Sequence, residues 1–152
     1  MGPVERIRQS FESTCVVRSL EREACSVGLG GVPEPCLVVD LDLPGSPLDQ
    51  QSTRCDHLVF AGDGEEEFVV APVEFKTKWR EKVVTQLEAG AAELDRHAPV
   101  GLATTFRPVV ALHRFKPKAV RRSLRERVGF RGRQEPIRVV MCGEELGSVL
   151  GK

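Results

Sequence analysis

Features that define several common protein classes are missing from these 152 residues. No apolar run approaches the roughly 18 to 20 residues of a membrane-spanning helix, and no apolar stretch follows the charged N-terminus, which argues against a secretory signal. The five cysteines form no C-x-x-C pair and their number is odd, so a structural zinc site has little support. We expect one cytoplasmic domain without membrane contact, in which reduced cysteines serve as small core residues.

The chain also lacks a formal net charge at pH 7, because its 22 basic residues equal its 22 acidic residues in number. The balance hides a strong polarity along the chain. Residues 1–106 carry 10 basic and 18 acidic residues, whereas residues 107–138 carry 11 basic residues and two acidic ones. A zero total taken alone argues against a nucleic-acid partner. A basic block next to acidic clusters is more informative about partners than the total, and it favours one.

Hydrophobic periodicity predicts an α/β (α+β) domain in which helices pack on a mixed central sheet. Apolar residues recur every three or four positions over residues 3–27, which predicts a first helix. Apolar and branched runs predict three strands, at residues 36–42, 54–60 and 68–76, with a hairpin signal at Gly62–Gly64. The rest of the chain is predicted to form a helix at 78–97, short strands at 100–106 and 109–112, a basic helical or irregular segment at 116–128 and a last strand at 137–142.

Polar residues are predicted to meet at one end of two neighbouring strands. Glu74 and Lys76 lie two positions apart on a strand and therefore share a face, while Phe75 points to the other side. Antiparallel pairing back from the hairpin places Asp56 roughly level with residues 71–74, so Asp56 and Glu74 can lie side by side, and Gln86 of the next helix can lie over the same sheet end. Two carboxylates suit a hard divalent cation that acidifies a bound water, and a nearby lysine can position or deprotonate that water.

This pattern resembles the PD-(D/E)XK nuclease superfamily, which has the restriction-endonuclease-like fold. The resemblance covers about residues 3–112, with the order of elements of an αβββαβ core, and a basic extension follows over residues 113–152. The runs that carry it are RCDHLVF, FVVAPVEFKTKW and QLEAGAAEL. The residue before the aspartate is Cys rather than Pro, and the chain lacks the tyrosine found in RecB-like members.

The resemblance implies Mg²⁺-dependent hydrolysis of nucleic-acid phosphodiester bonds, with Mn²⁺ able to replace Mg²⁺. The implied catalytic residues are Asp56, Glu74, Lys76 and Gln86. The implied metal ligands are Asp56, Glu74 and the backbone carbonyl of Phe75. Many members also use a glutamate of the first helix, for which Glu12 is the best candidate because it lies midway along the predicted helix.

Basic residues near this site and after residue 107 predict contact with nucleic-acid phosphates, because dense arginine with little compensating acid favours an anionic partner. The predicted contact residues are Lys78, Arg80, Arg114, Lys116, Lys118, Arg121, Arg122 and Arg125. No sequence-specific recognition motif is present, so contacts to the nucleic-acid backbone should dominate, with DNA favoured over RNA. Cleavage of both strands by so small a domain favours a homodimer, and the alternative is the nuclease subunit of a larger defence or repair assembly.

Two other interpretations remain open from the sequence. The same fold can serve as a catalytically inactive nucleic-acid-binding or scaffolding module, in which Glu74 and Lys76 form an ordinary ion pair on a solvated face. The chain can also be an interaction protein with no nucleic-acid role. Metal-dependent cleavage separates the first interpretation from a nuclease, and the salt dependence of DNA binding separates the second.

Overall fold

A mixed β-sheet forms the centre of the molecule, for which a computed structural model describes residues 1–48, 52–77, 82–114 and 117–151. A short 3₁₀ helix at Ser13–Cys15 follows the first α-helix. The other elements are, in chain order, α1 (Pro3–Arg8), β1 (Val16–Val17), β2 (Leu20–Arg22), β3 (Cys25–Val27), β4 (Cys36–Asp40), β5 (His57–Ala61), β6 (Val69–Lys76), α2 (Lys82–His97), β7 (Thr105–Phe106), β8 (Val109–Leu112), α3 (Pro117–Arg125), β9 (Arg127–Phe130), β10 (Arg133–Pro136), β11 (Arg138–Met141) and α4 (Gly147–Leu150).

The strand order brings several strand ends to one edge of the sheet. Along the sheet the order is β1-β4-β5-β6-β8-β11, and β7 pairs with the beginning of β6. Strands β4, β5 and β6 form an antiparallel meander, whereas β8 and β11 add to it in parallel. The carboxyl ends of β4, β6, β8 and β11 therefore lie at the edge where β5 begins. This edge is called the C-terminal edge below.

Both faces of the sheet are covered, which explains the continuous apolar runs of its central strands. Every residue of β5 is buried, and in β6 only Lys76 is partly exposed. On one face α1 and α2 pack through side chains such as Ile7 and Leu87. On the other face lie the β2–β3 hairpin and α4, represented by Leu20 and Leu150. Because side chains alternate along β6, each one packs either against α1 and α2 or against the β2–β3 hairpin and α4.

The predicted first helix is wrong beyond its first two turns. Helix α1 ends at Arg8, and the remainder of the predicted segment forms the 3₁₀ helix, the edge strand β1 and the β2–β3 hairpin. Four of the apolar residues that suggested a helical face are nevertheless buried, namely Val4, Ile7, Phe11 and Leu20, whereas Val17 is half-buried and Ala24 is exposed. Branched residues fit an extended chain, and β1 covers the edge of β4, which an unpaired strand would leave open. Short strands joined by turns thus bury most of the positions that a helix would.

The other predicted elements agree with the structure except at three places. The predicted strands at 36–42, 54–60, 68–76, 109–112 and 137–142 correspond to β4, β5, β6, β8 and β11, and the basic segment contains helix α3. The predicted strand at 100–106 shrinks to β7, while the β9–β10 hairpin and α4 were not predicted.

Within the described residues, no helix combines the length and apolarity that a membrane crossing requires.

The expectation that all five cysteines are reduced is wrong for two of them. Cys25 and Cys142 form a disulfide between residues 117 positions apart in the chain. Cys15, Cys36 and Cys55 are free. Burial raises the pKa of the Cys36 thiol to about 11, so this thiol is protonated at neutral pH and behaves as the small apolar residue that was predicted.

Candidate functional site

Asp56 and Glu74 lie side by side at the C-terminal edge. His57 pairs with Val73 across β5 and β6, which places the preceding Asp56 level with Glu74. The backbone N–H of Asp56 donates a hydrogen bond to Glu74 Oε1 over 3.0 Å. The backbone N–H of Phe75 donates to Asp56 Oδ2 over 2.8 Å. The structure thus brings the two predicted acidic residues together and fixes each one through the backbone of the neighbouring strand.

Lys76 completes the cluster on the same face of β6. Its Nζ lies 3.2 Å from Glu74 Oε2, and the two side chains are 20% and 3% exposed. Burial, followed by the adjacent Asp56, raises the pKa of Glu74 to about 8, although Lys76 acts in the opposite direction. A buried carboxyl group next to a second carboxylate favours protonation unless more positive charge is brought in. A positive charge brought to this site would therefore favour the ionised form of Glu74.

The backbone carbonyl of Phe75 fits its predicted place beside the carboxylates. Within a strand, the N–H and C=O groups of one residue point towards the same neighbouring strand. Since the Phe75 N–H reaches Asp56, its carbonyl faces the same side of β6. The phenyl ring lies on the opposite face of the sheet, where it packs edge-on against His57 at 5.6 Å between ring centroids.

Arg22 is a partner that sequence reasoning missed. It lies at the end of β2, and its Nε is 3.2 Å from Asp56 Oδ1. Its two terminal nitrogens bind the carboxylate of Asp40 at 2.8 and 2.7 Å, and one of them also reaches Asp42 at 2.9 Å. Burial favours its neutral form, but these carboxylates raise the pKa of Arg22 above its usual range. The guanidinium is thus a permanent cation at the edge of the site.

Asp40 is the second acidic residue that the sequence left unassigned. Burial favours its neutral form, but hydrogen bonds from His57 and Arg22 hold the pKa of Asp40 below its usual range. His57 is buried, and its Nε2 lies 3.5 Å from Asp40 Oδ2. The sequence carried one local signal for the role of Asp40. Asp40 and Asp42 lie two positions apart at the end of one predicted strand, and Asp56 lies near the start of the next.

The donor set fits a hard divalent cation. Asp56, Glu74 and the Phe75 carbonyl offer only oxygen atoms, which Mg²⁺ and Mn²⁺ prefer. Each of the four carboxylate oxygens already contacts one donor. The oxygens of Glu74 contact the backbone N–H of Asp56 and the Lys76 ammonium. The oxygens of Asp56 contact Arg22 and the backbone N–H of Phe75. Carboxylate oxygens carry a second lone pair, so a cation can share them with these donors.

The two remaining candidates, Gln86 for catalysis and Glu12 for the metal, differ in their surroundings. Gln86 lies on α2, and its Oε1 is buried without a hydrogen-bond partner among the described residues. An unpaired buried carbonyl oxygen costs free energy and is a signal for an unassigned donor. Glu12 lies after the end of α1 and is not part of a helix. Its side chain is exposed and lies beside Gly45. The premise that selected Glu12 as a metal ligand is therefore wrong.

A basic surface continues from the C-terminal edge onto α3. Arg114 is exposed just after β8, and Lys118, Arg121, Arg122 and Arg125 are exposed on α3. The four α3 residues line one shared shallow depression. This set, Arg114 with the four α3 residues, is called the basic surface below. Lys78, Arg80 and Lys116, which were also predicted to bind phosphate, lie outside the described residues.

Comparisons with protein-family models, with curated proteins and with solved structures found no match to this chain. The fold is mixed α/β with a mixed central sheet. The site consists of two adjoining carboxylates with a lysine and an arginine, next to a basic helix.

Proposed function

We propose that this protein is a Mg²⁺-dependent nuclease that hydrolyses nucleic-acid phosphodiester bonds, with DNA as the favoured substrate. The observation that carries the proposal is the contact of Asp56 with Glu74 across two strands, with Lys76 3.2 Å from Glu74. The antiparallel meander followed by α2 and the parallel strand β8 supports it, since this order agrees with the family that the sequence resembles.

Each residue of the site has a separate role in this proposal. Asp56, Glu74 and the Phe75 carbonyl would hold the cation, which when bound supplies a Lewis acid and an acidified water. Lys76 would position the attacking water or help to deprotonate it, and its charge would offset the negative charge that develops in the transition state. The buried Oε1 of Gln86 has no hydrogen-bond partner among the described residues. It would accept a hydrogen bond from the attacking water and so orient that water.

The basic surface would hold the nucleic-acid backbone beside this site. Arg114 follows β8 directly, and β8 pairs with the end of β6 that carries Lys76. Helix α3 begins a few residues later, so its basic residues start close to the same edge. Contacts of this kind bind phosphate without reading sequence. A homodimer, or a subunit of a larger assembly, would bring two such sites to a duplex.

The proposal is tested by cleavage of supercoiled plasmid and of end-labelled single-stranded DNA and RNA in Mg²⁺, Mn²⁺ or EDTA. Glu74→Gln and Lys76→Met should each lower the metal-dependent rate by about a hundredfold or more. Glu66→Gln is the matched control, because Glu66 is an exposed carboxylate on the β5–β6 loop at the opposite edge. Cleavage that persists in EDTA, or that is equal in wild type and Glu74→Gln, would overturn the proposal.

A second candidate function is a nucleic-acid-binding module without catalysis, and the position of Arg22 favours it. Arg22 already supplies a positive charge to Asp56 and Asp40, as expected for a site stabilised without a metal. A metal-binding site gains stability from its ligand, by about 1.4 kcal/mol at a Mn²⁺ concentration ten times the dissociation constant. Urea unfolding of wild type and Glu74→Gln with and without Mn²⁺ therefore separates the two functions, since the binding module shows no such gain.

A further inference from the structure

A second cluster of metal-binding side chains lies at the C-terminal edge, on the other face of the sheet. The ligand atoms of Cys25, His113 and Cys142 all lie within 4.8 Å of one another. Cys25 begins β3, while His113 and Cys142 directly follow β8 and β11. Cys25 is buried and the other two are half-buried. The chain spacing of these residues gave no sign of this cluster, because only the parallel pairing of β8 with β11 brings two of them together.

Backbone hydrogen bonds hold the two cysteines next to each other independently of the disulfide. The N–H of Gly143 donates to the carbonyl of Ser26 over 2.7 Å, and the N–H of Gly28 donates to that of Glu144 over 2.9 Å. Ser26 and Gly143 are the immediate neighbours of the two cysteines. The N–H of Cys142 also donates to the Leu112 carbonyl over 3.1 Å, as a continuation of the β8–β11 pairing. Reduction of the disulfide therefore leaves two thiols at the same place.

His113 is oriented in the way that a metal-binding histidine requires. Its Nδ1 lies 3.4 Å from the backbone carbonyl oxygen of Lys76. A carbonyl can only accept, so the tautomer that makes this hydrogen bond has its proton on Nδ1 and leaves Nε2 free to bind a metal. Histidines that bind metals commonly donate their second ring N–H to such a carbonyl, which fixes the tautomer and the ring orientation. His113 thus presents a ligand nitrogen without further rearrangement of the backbone.

We propose that Cys25, Cys142 and His113 form a zinc site when their disulfide is reduced. Two thiolates and an imidazole are the soft and intermediate donors that select Zn²⁺ over Mg²⁺. Zn–S bonds of about 2.3 Å and Zn–N bonds of about 2.0 Å in a tetrahedral site place ligand atoms roughly 3.5 to 4 Å apart. Once the disulfide is reduced, the two sulfur atoms must move apart by about 2 Å from their bonded separation. The His113 nitrogen, which lies within 4.8 Å of both, must approach them by at most about 1 Å. The fourth position is left for water.

The zinc site forms in two steps, reduction of the disulfide and then metal binding. A phosphine reductant gives two electrons to the S–S bond and takes an oxygen atom from water as it becomes the phosphine oxide, and the two water protons complete the thiols. Zn²⁺ then displaces one proton from each thiol to form two Zn–S bonds. Since Cys25 pairs with Arg22 in the β2–β3 hairpin, the occupied site also holds the hairpin that places Arg22 against Asp56.

Cobalt spectroscopy tests this proposal on the full chain. Phosphine-reduced protein is titrated with Co²⁺ under argon, and Zn²⁺ is then added in competition. We expect one Co²⁺ per chain, with a thiolate-to-cobalt charge-transfer band in the near ultraviolet that Zn²⁺ abolishes. The oxidised protein should give no band until the phosphine is added. No band in the reduced protein, or a band in the oxidised protein, would overturn the proposal.

Matched variants identify the ligands. Cys25→Ser and Cys142→Ser should each abolish the charge-transfer band, and His113→Asn should weaken Zn²⁺ binding by about tenfold or more. Cys36→Ser is the control for a half-buried thiol outside the cluster and should keep the band. If Cys25→Ser does not fold, Cys142→Ser and His113→Asn alter half-buried residues and carry the test. A band that survives in Cys142→Ser, or unchanged zinc affinity in His113→Asn, contradicts the assignment. Glu74→Gln should keep the band, which separates this site from the proposed magnesium site.

Discussion

The Nε of Arg22 lies 3.2 Å from Oδ1 of Asp56, although the two residues belong to elements on different layers of the molecule. The same guanidinium binds both carboxylate oxygens of Asp40. One side chain of the β2–β3 hairpin therefore balances two acidic residues at the C-terminal edge of the sheet. The hairpin is part of the candidate site and not only a cover for one face of the sheet.

Arg22→Gln should lower the free energy of unfolding by about 1 to 3 kcal/mol, because it removes charged hydrogen bonds from the buried Asp40. Urea unfolding at neutral pH measures the change. Arg8→Gln is the control, since Arg8 and Glu5 are 4.0 Å apart and both are substantially exposed. A pair of that kind contributes at most about 0.5 kcal/mol. Equal unfolding midpoints for the Arg22 variant and wild type would contradict the structural role of Arg22.

Glu74→Gln should change the dependence of stability on pH. Burial and Asp56 raise the pKa of Glu74 from 4.5 to about 8, so between these values the folded chain holds a proton that the unfolded chain has released. Its contribution is therefore fully present below pH 4.5 and is lost as the pH rises through about 8. The stability of wild type relative to Glu74→Gln should fall across this window, by on the order of a few kcal/mol.

Urea unfolding in EDTA at a series of pH values measures this difference. Subtraction of the two proteins cancels other groups such as His97, whose pKa is lowered by burial. Glu66→Gln, which alters an exposed carboxylate, should follow wild type at every pH. A difference between wild type and Glu74→Gln that stays constant from pH 5 to about 8.5 contradicts the raised pKa.

Gln86→Leu should separate stability from activity. The buried Oε1 of Gln86 has no partner among the described residues, so its replacement by a side chain of similar size should leave stability unchanged or raise it by about 1 kcal/mol. Under the proposed function, the same variant should lose about tenfold or more in metal-dependent cleavage. Unfolding and cleavage are measured on the same preparation. A large loss of stability would show that Gln86 serves the fold.

Lys118→Ala and Arg121→Ala should each weaken DNA binding and reduce its salt dependence. For duplex DNA, each phosphate contact that is lost lowers the slope of log affinity against log salt by about 0.9. Fluorescence anisotropy over a range of salt concentrations gives the slope. Arg6→Ala is the control, since Arg6 is exposed on α1 beside Asp63 and Gly64, at the opposite edge. Slopes that match wild type in both α3 variants exclude the basic surface as the contact region.

The sequence predicted the central meander because its signals are local. Apolar runs marked β4, β5 and β6, and the glycines of the β5–β6 turn set a pairing that places Asp56 beside Glu74. Helix α2 was marked by its apolar stripe, represented by Leu87 and Leu94. The first helix failed because a three- to four-residue spacing of apolar side chains also fits short strands joined by turns, and only packing against the sheet chooses between them.

The sequence by itself determined that Glu74 and Lys76 share one face of a buried strand, because alternation of side chains is a property of the extended backbone. It also determined the concentration of positive charge after residue 107. Only the tertiary structure decided that Arg22 would meet Asp56, 34 positions along the chain, and that Cys25 and Cys142 would meet across 117 positions. Contacts of this range depend on the order and direction of strands in the sheet, which no local pattern of residues specifies.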